Sequence, residues 1–197
     1  MVALHIDSLH THIEVSEQDF LSVIPNIVQT TGSFDITTIR ASTGQYLISK
    51  WISENTNIKV LLIGDISDEL TCGYLYFHKA PTADIAHNEN IRLLEDIHFF
   101  DILRADRCIT RFGIEARVPF GDYRLINFYL SCDPMLRIPV NGIEKWLLRV
   151  SFENELLLPN EVLWRQKCAF SDAVSAVGRS WYEVIQENVE KIYSDSE

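Results

Sequence analysis

This chain has little that would commit it to a membrane, a secreted scaffold or a nucleic acid. No stretch is long and apolar enough to span a bilayer. The opening residues Met-Val-Ala-Leu-His-Ile-Asp lack the basic start and apolar run of a secretory leader. Basic residues are in the minority, 17 against 28 acidic ones, and the formal charge of −11 argues against general binding to nucleic acid or anionic lipid. The four cysteines, Cys72, Cys108, Cys132 and Cys168, lie far apart with no Cys-x-x-Cys pair. They are expected as reduced, buried thiols, which suits the cytoplasm. No His or Cys pair has zinc-ligand spacing. Internal repeats and low-complexity tracts are absent.

What remains is ordinary globular material. A chain of 197 residues, 47% hydrophobic and 23% charged, can bury one sizeable core. Leu4 to Leu9 carries a weak helical signal, and Thr11 to Val15 alternates as a short strand would. Phe20, Leu21, Ile24, Ile27 and Val28 recur at helical spacing, with Pro25 expected to kink that helix. A helix starting at Thr37 or Thr38 runs through Tyr46, Leu47, Trp51 and Ile52, and ends at Asn55 to Asn57. Val60 to Ile63 reads as a buried strand. Residues 84–112 are helical by periodicity, Pro119 to Gly142 form short pieces, and helices are expected over Ile143–Glu153, Pro159–Trp164 and Ser180–Tyr193. The early strand–helix–strand–helix order points to an α/β chain with a parallel sheet, followed by a mainly helical part. One domain is expected, with an α/β part at 1–80 and a helical part at 81–197.

Three constellations could carry chemistry. In Ile63-Gly64-Asp65-Ile66-Ser67-Asp68-Glu69, a strand exits into a helix that Ser67 can cap. Asp65, Asp68 and Glu69 would repel one another unless solvated or bound to a cation. They suit either a plain helix start, where acidic residues are favoured, or a metal or nucleotide site. Trp164-Arg-Gln-Lys167 with Phe170-Ser-Asp172 places two cations beside aromatics, as a solvated surface or a phosphate clamp. In Gly113-Ile-Glu-Ala-Arg-Val-Pro-Phe-Gly-Asp122, Glu115 and Arg117 are offset by two residues. They suit an ion pair on one face of a strand.

These stretches resemble the glutamine-dependent asparagine synthetase family. Ser67-Asp-Glu-Leu70 with Gly73-Tyr-Leu-Tyr-Phe-His-Lys-Ala-Pro81 is similar to its second nucleotide-site segment, usually Ser-Gly-Glu-Gly-Ser-Asp-Glu at the start. Ile63, Asp65 and Ile66 depart from that pattern. Trp164 to Asp172 resembles Trp-Arg-x-Lys-x-x-Phe-Ser-Asp-Gly, with Ala173 in place of the glycine. Gly113 to Asp122 resembles Gly-x-Glu-x-Arg-Val-Pro-Phe-Leu-Asp, with Gly121 in place of leucine. Phe34 to Ser42 and Asn141-Gly-Ile-Glu-Lys145 match further motifs that carry no evident chemistry. The matches run in order from about Leu4 to Ile192.

The resemblance implies part of the synthetase (ATP pyrophosphatase-type) domain, with an incomplete parallel sheet of the adenine nucleotide alpha-hydrolase-like kind. It implies an ATP-dependent ligase that converts aspartate to asparagine through a β-aspartyl-AMP intermediate, with ammonia drawn from glutamine. In that reading Asp65 is the base for ammonia attack and Lys167 binds the phosphates. Ile63 and Gly64 adjoin ATP, Asp68 and Glu69 serve pyrophosphate and Mg2+, and Asp68 is the metal ligand. Glu115 and Arg117 are supports first and substrate contacts second. No glutaminase domain and no Ser-Gly-Gly-x-Asp-Ser loop occur in the chain.

Three consequences are expected of the departures. Asp65 is one methylene shorter than the family glutamate. Ile63 removes a hydroxyl, and if the glycine that Ile66 replaces has φ > 0, Ile66 is strained or forces a new loop. The isolated chain is therefore expected to be weakly active at best. The alternative is an inactive remnant that binds a nucleotide or a partner, as a homo-oligomer or paired with an intact synthetase. Nucleic acid and membrane partners are not expected.

Overall fold

The computed structural model describes residues 1–168 and 178–194. Helix α1 (Val2–His5) is followed by an irregular segment to Val15. The short strand expected at Thr11–Val15 does not form, since alternation alone provides no partner strand for its backbone groups. Ser16 opens α2 (Glu17–Ser22) with a reciprocal capping box: its hydroxyl accepts the Asp19 amide at 3.2 Å, and the Asp19 carboxylate accepts the Ser16 amide at 2.7 Å. The chain breaks at Val23 and restarts as α3 (Ile24–Thr31). Pro25 therefore sits in a first turn, where its missing N–H costs nothing, rather than kinking one long helix.

Asp35 caps α4 (Ile36–Asn55), accepting the Thr38 amide at 2.6 Å, so this helix begins slightly before the expected threonines. Then come β1 (Val60–Leu62) and the four-residue α5 (Ser67–Leu70). The expected helical run at 84–112 is two helices, α6 (Ala83–Asp96) and α7 (Asp101–Thr110), separated by a 3-10 turn and by Phe100. Strand β2 (Glu115–Arg117), α8 (Tyr123–Ser131) and α9 (Pro134–Arg137) follow. The helix expected at Ile143–Glu153 is shorter, α10 (Trp146–Ser151). Helix α11 (Asn160–Leu163) and α12 (Trp181–Ser194) complete the order.

The chain divides into two compact units, each built from three separated segments. One comprises Ile13–Leu61, Phe100–Arg117 and Cys168–Glu197. Its core joins Phe20 on α2 to Trp181, Val184 and Ile185 on α12, with the Phe20 and Trp181 rings edge to face at 5.3 Å. A second cluster sets Val23 and Ile27 against Tyr46 and Cys108. Small buried residues, Ser42 and Thr43 on α4 with Ala105 and Cys108 on α7, let these two helices approach closely. The Arg107 guanidinium donates to the Thr31 carbonyl at the C-terminus of α3, beside Gly32 in the left-handed conformation.

In the two-stranded parallel sheet, β1 pairs with β2. The expected strand at Val60 is present but not buried: Val60 is 46% and Leu62 70% exposed. A pair of three-residue strands has too few neighbours to cover both faces.

The other unit comprises Met1–His12, Leu62–Phe99 and Val118–Lys167. Cys72, Phe77 and Ala86 form its apolar cluster, with Tyr74, Leu93 and Ile138 packed on it. A polar network runs beside them. Asn90 on α6 is fully buried; its amide donates to the Glu69 carbonyl at 2.5 Å, and its Oδ1 accepts from the Cys72 thiol and from Arg137. Arg137 also donates to the Cys132 carbonyl at 3.1 Å and to His87 Nδ1 at 2.6 Å. A guanidinium can only donate, so His87 Nδ1 is the acceptor in this contact. Cys72 and Cys108 are the buried thiols expected, whereas Cys132 is half-buried and Cys168 exposed; none of the four forms a disulfide.

Glu144 is buried and bonded to His78 Nε2 at 2.7 Å. Burial alone would raise its pKa. The hydrogen bond from His78, its own backbone N–H and the nearby positive charges outweigh burial and hold the carboxyl below its usual 4.5. A depressed folded pKa gives stability that is present above the unfolded value and lost as pH falls through the folded one. The Glu144→Gln variant should therefore be less stable than the parent at about pH 6, with a gap that closes towards about pH 2. Urea unfolding across that range measures it, and a gap independent of pH would contradict this origin.

Candidate functional site

The segment between β1 and α5 is a tight turn. The Ser67 amide reaches back to the Gly64 carbonyl at 3.4 Å, and Ile66, the third residue of the turn, has φ +73° and ψ −17°. Turns of this shape normally place glycine there, because a side chain crowds the backbone when φ is positive. For a β-branched residue the conformation costs about 1–3 kcal/mol. Ile66 itself therefore takes a backbone form that suits glycine, and its β-branched side chain is strained there.

Packing offsets that strain. Ile66 is buried, and a Cβ added to Gly121 would stand 3.0 Å from its Cδ1. The two departures from the family pattern are therefore coupled, with bulk gained at Ile66 filling space that the absence of a leucine at Gly121 leaves.

Helix α5 has no side-chain cap. Ser67 is its first helical residue rather than its cap, and its hydroxyl accepts instead from Lys145 Nζ at 2.8 Å. Asp68, one residue on, is the centre of the site. Its Oδ1 lies 2.7 Å from Lys167 Nζ and 3.2 Å from Lys145 Nζ. The side chains of Lys145 and Lys167 are 21% and 16% exposed, so both ammonium groups are largely withdrawn from water. Burial lowers the pKa of Lys145; Asp68 opposes that and the charge of Lys167 adds to it.

Glu69 is buried and accepts a short hydrogen bond from the Tyr74 hydroxyl. Lys167 Nζ also stands 5.6 Å from the centre of the Tyr74 ring, a cation–π contact. Gly73 makes the close approach work. A Cβ there would lie 2.0 Å from Asp68 Oδ1 and 2.7 Å from Lys145 Cε, so any other residue would drive the pair apart. Lys145 further lines an apolar cavity of about 410 Å3 with Phe120, Leu148, Phe152 and Leu163.

The structure thus joins Asp68 directly to Lys167, places Glu69 alongside, and leaves Ile63, Gly64 and Asp65 on the turn that leads into them. Gly64 has open space where a side chain would point. Phe170-Ser-Asp172 and Ala173 lie outside the described residues. Glu115 and Arg117 belong to the other unit, on one face of β2, where they form the expected ion pair in an exposed position.

The fit to a metal ion is poor. Among the described residues no group of three or more His, Cys, Asp or Glu side chains could hold one. Asp68, the residue expected to bind Mg2+, has its Oδ1 turned onto two ammonium groups. Lys145 was not among the expected site residues. It lies 78 positions from Ser67, and the match of Asn141 to Lys145 to a family motif was the one signal that could have found it.

The site is thus a strand-to-helix turn whose carboxylate holds two lysines, on a helix-rich chain with a small parallel two-stranded sheet. The sequence pattern of the asparagine synthase family matches residues 1–92 and 81–197, and the chain belongs to that family. It is 48% identical to the glutamine-hydrolysing asparagine synthetases of Homo sapiens and Pongo abelii, over 195 residues. It is 47% identical to that of Bos taurus. Each match covers 99% of this chain and 35% of the relative, so the chain spans about a third of the length of the curated relatives it matches.

The coupling of Ile66 and Gly121 gives a direct test. Ile66→Gly should destabilise by about 1–2 kcal/mol, because the cavity left behind outweighs the relieved strain. Gly121→Leu alone should destabilise by about 1–3 kcal/mol through overpacking. The double variant should cost less than the sum of the two by at least about 1 kcal/mol. Urea unfolding of the four proteins measures this, and additive effects would show that the two positions are independent.

Proposed function

We propose that the chain carries the ligase chemistry of its family, the ATP-dependent amidation of aspartate to asparagine. The observation that supports this most is the pair of lysines on Asp68 in a segment that matches the family's nucleotide-site motif. In the first step an aspartate β-carboxylate oxygen attacks the α-phosphorus of ATP, the bond to the bridging oxygen breaks, and pyrophosphate leaves. Lys167 offsets the charge that grows on the departing group. In the second step ammonia attacks the acyl carbon, AMP departs, and Asp65 takes the surplus proton.

Ile63 and Gly64, at the start of the turn, adjoin the nucleotide, and the apolar cavity that Lys145 lines offers surface for its less polar parts. The amide nitrogen comes from ammonia or glutamine, as the name of the relatives says of them. The fold reading is a member of the adenine nucleotide alpha-hydrolase-like class, supported by the parallel pairing of β1 and β2. The whole chain serves as part of a synthetase domain, with Glu115 and Arg117 as supports and secondary aspartate contacts. Mg2+ would accompany ATP through the phosphates, and no step above depends on it.

No helix among the described residues is long and apolar enough to cross a membrane. The cytoplasm is the proposed setting, in keeping with four cysteines that form no disulfide. Self-association, or pairing with an intact synthetase, is supported by exposed apolar residues such as Leu62 and Phe128.

The test is aspartate-dependent exchange of labelled pyrophosphate into ATP. The chain should catalyse exchange, and Lys167→Ala should reduce it by roughly 100-fold or more. A chain that is folded by near-UV circular dichroism yet shows no exchange above the variant would refute the reading, leaving a nucleotide- or partner-binding remnant.

A further inference from the structure

Asn90 stands on α6, outside the turn that carries the site, and is fully buried. Its amide nitrogen donates to the Glu69 carbonyl at 2.5 Å. That carbonyl belongs to the last turn of the four-residue α5, where carbonyls need partners from outside the helix. On its other side, Asn90 Oδ1 accepts from the Cys72 thiol at 3.3 Å and from Arg137 at 3.4 Å. Cys72 ends this stretch in a left-handed conformation, φ +53°, and the next amide, that of Gly73, donates back to the Asp68 carbonyl at 2.8 Å. One side chain therefore grips α5 at its last turn and at the residue that turns the chain away from it.

The chemistry of the three partners calls for an amide. A carbonyl can only accept and a guanidinium can only donate, so residue 90 must show a donor to one and an acceptor to the other. An aspartate has the same shape but would show oxygen to both.

Arg137 makes the choice of asparagine informative. It is fully buried, and its bonded acceptors are the Cys132 carbonyl, His87 Nδ1 and Asn90 Oδ1, with no carboxylate among them. A buried cation is ordinarily paired with an anion. An aspartate at position 90 would supply that anion in place, and would set a second oxygen against the Glu69 carbonyl. The chain carries the residue that holds α5, not the one that would neutralise Arg137.

We propose that Asn90 is a positioning residue for the candidate site. It fixes α5, and with it the Asp68 and Glu69 side chains, while leaving Arg137 without a bonded counter-charge. Its bearing on catalysis rests on the ligase reading; its hold on α5 does not.

The test compares Asn90→Asp with the parent at about pH 8, where the new carboxylate is ionised. The amides of Leu70, Thr71 and Gly73 donate to the carbonyls of Ile66, Ser67 and Asp68, so they report the order of α5. Their hydrogen exchange, followed by NMR, should quicken by about tenfold or more, while amides in the body of α6 keep the protection of the parent. A residue that merely supports the fold would loosen α5 and α6 together. Aspartate-dependent exchange of labelled pyrophosphate into ATP should fall by about tenfold or more in kcat, with the KM for ATP less affected. Arg137→Gln removes the buried charge, keeps a donor for Asn90 Oδ1, and should leave α5 as well protected relative to α6 as in the parent. It serves if Asn90→Asp does not fold.

Parent-like hydrogen exchange at Leu70, Thr71 and Gly73 in Asn90→Asp, equal loss across α5 and α6, or a loss confined to α5 in Arg137→Gln would each overturn the proposal. So would a loosened α5 with pyrophosphate exchange intact. A folded parent without pyrophosphate exchange would remove the ligase reading, and the amide measurement would still decide whether Asn90 positions α5.

Discussion

A single carboxylate shared between two partly buried ammonium groups organises one of the two units of this protein. Asp68 gathers three pieces of chain that are far apart in sequence: the turn after β1, the entry to α10 and the segment that follows α11. None of these charges is left in open water, so each depends on the others to offset its desolvation. Removing Asp68 without replacing its shape would leave two like charges together. Removing either lysine would leave a carboxylate that is only partly compensated. A network of this kind specifies one arrangement of the surrounding loops more than it adds to overall stability.

The neighbouring backbone shows what that arrangement demands. Ile66, Cys72 and Lys145 all have positive φ without being glycine, while Gly73, which lies between Asp68 and Lys145, has no room for a side chain. Behind them Asn90 holds the Glu69 carbonyl, and Arg137 holds Asn90, so the short α5 is anchored from the rear by a buried polar chain. Strain at the front and hydrogen bonding at the back are the two halves of one device. The strained residues keep their conformations because the network over-determines them. Such strain concentrates where a site must hold its groups ready, and it accords with this turn being the functional part of the unit.

Much of this was legible in the sequence, for physical reasons that differ from residue to residue. Helices with a strong apolar stripe or a clear cap announced themselves, as α4, α6 and α12 did. The family motifs singled out both Asp68 and Lys167, but their direct ion pair was not read from them, because it joins segments 99 positions apart. The break at Val23 was not legible, because periodicity continues across a break when both helices face the same core; the break at Phe100 falls where one unit gives way to the other, which periodicity does not mark. The strand at Val60 looked buried since apolar runs usually are, yet burial is set by neighbouring strands that the run itself cannot reveal. Lys145 was hidden for a similar reason: its role lies in a contact with Ser67 that no local spacing encodes. The left-handed turn at Ile66 could be posed only as a condition, since its φ is a property of the fold.

The most direct measurement of the central claim is a crystal structure of the chain with inorganic pyrophosphate bound. The account predicts the anion at Lys167 Nζ, beside the turn after β1, with the Asp68 carboxylate no longer joined to both lysines. Pyrophosphate bound elsewhere, with Asp68 still joined to both lysines, would contradict it.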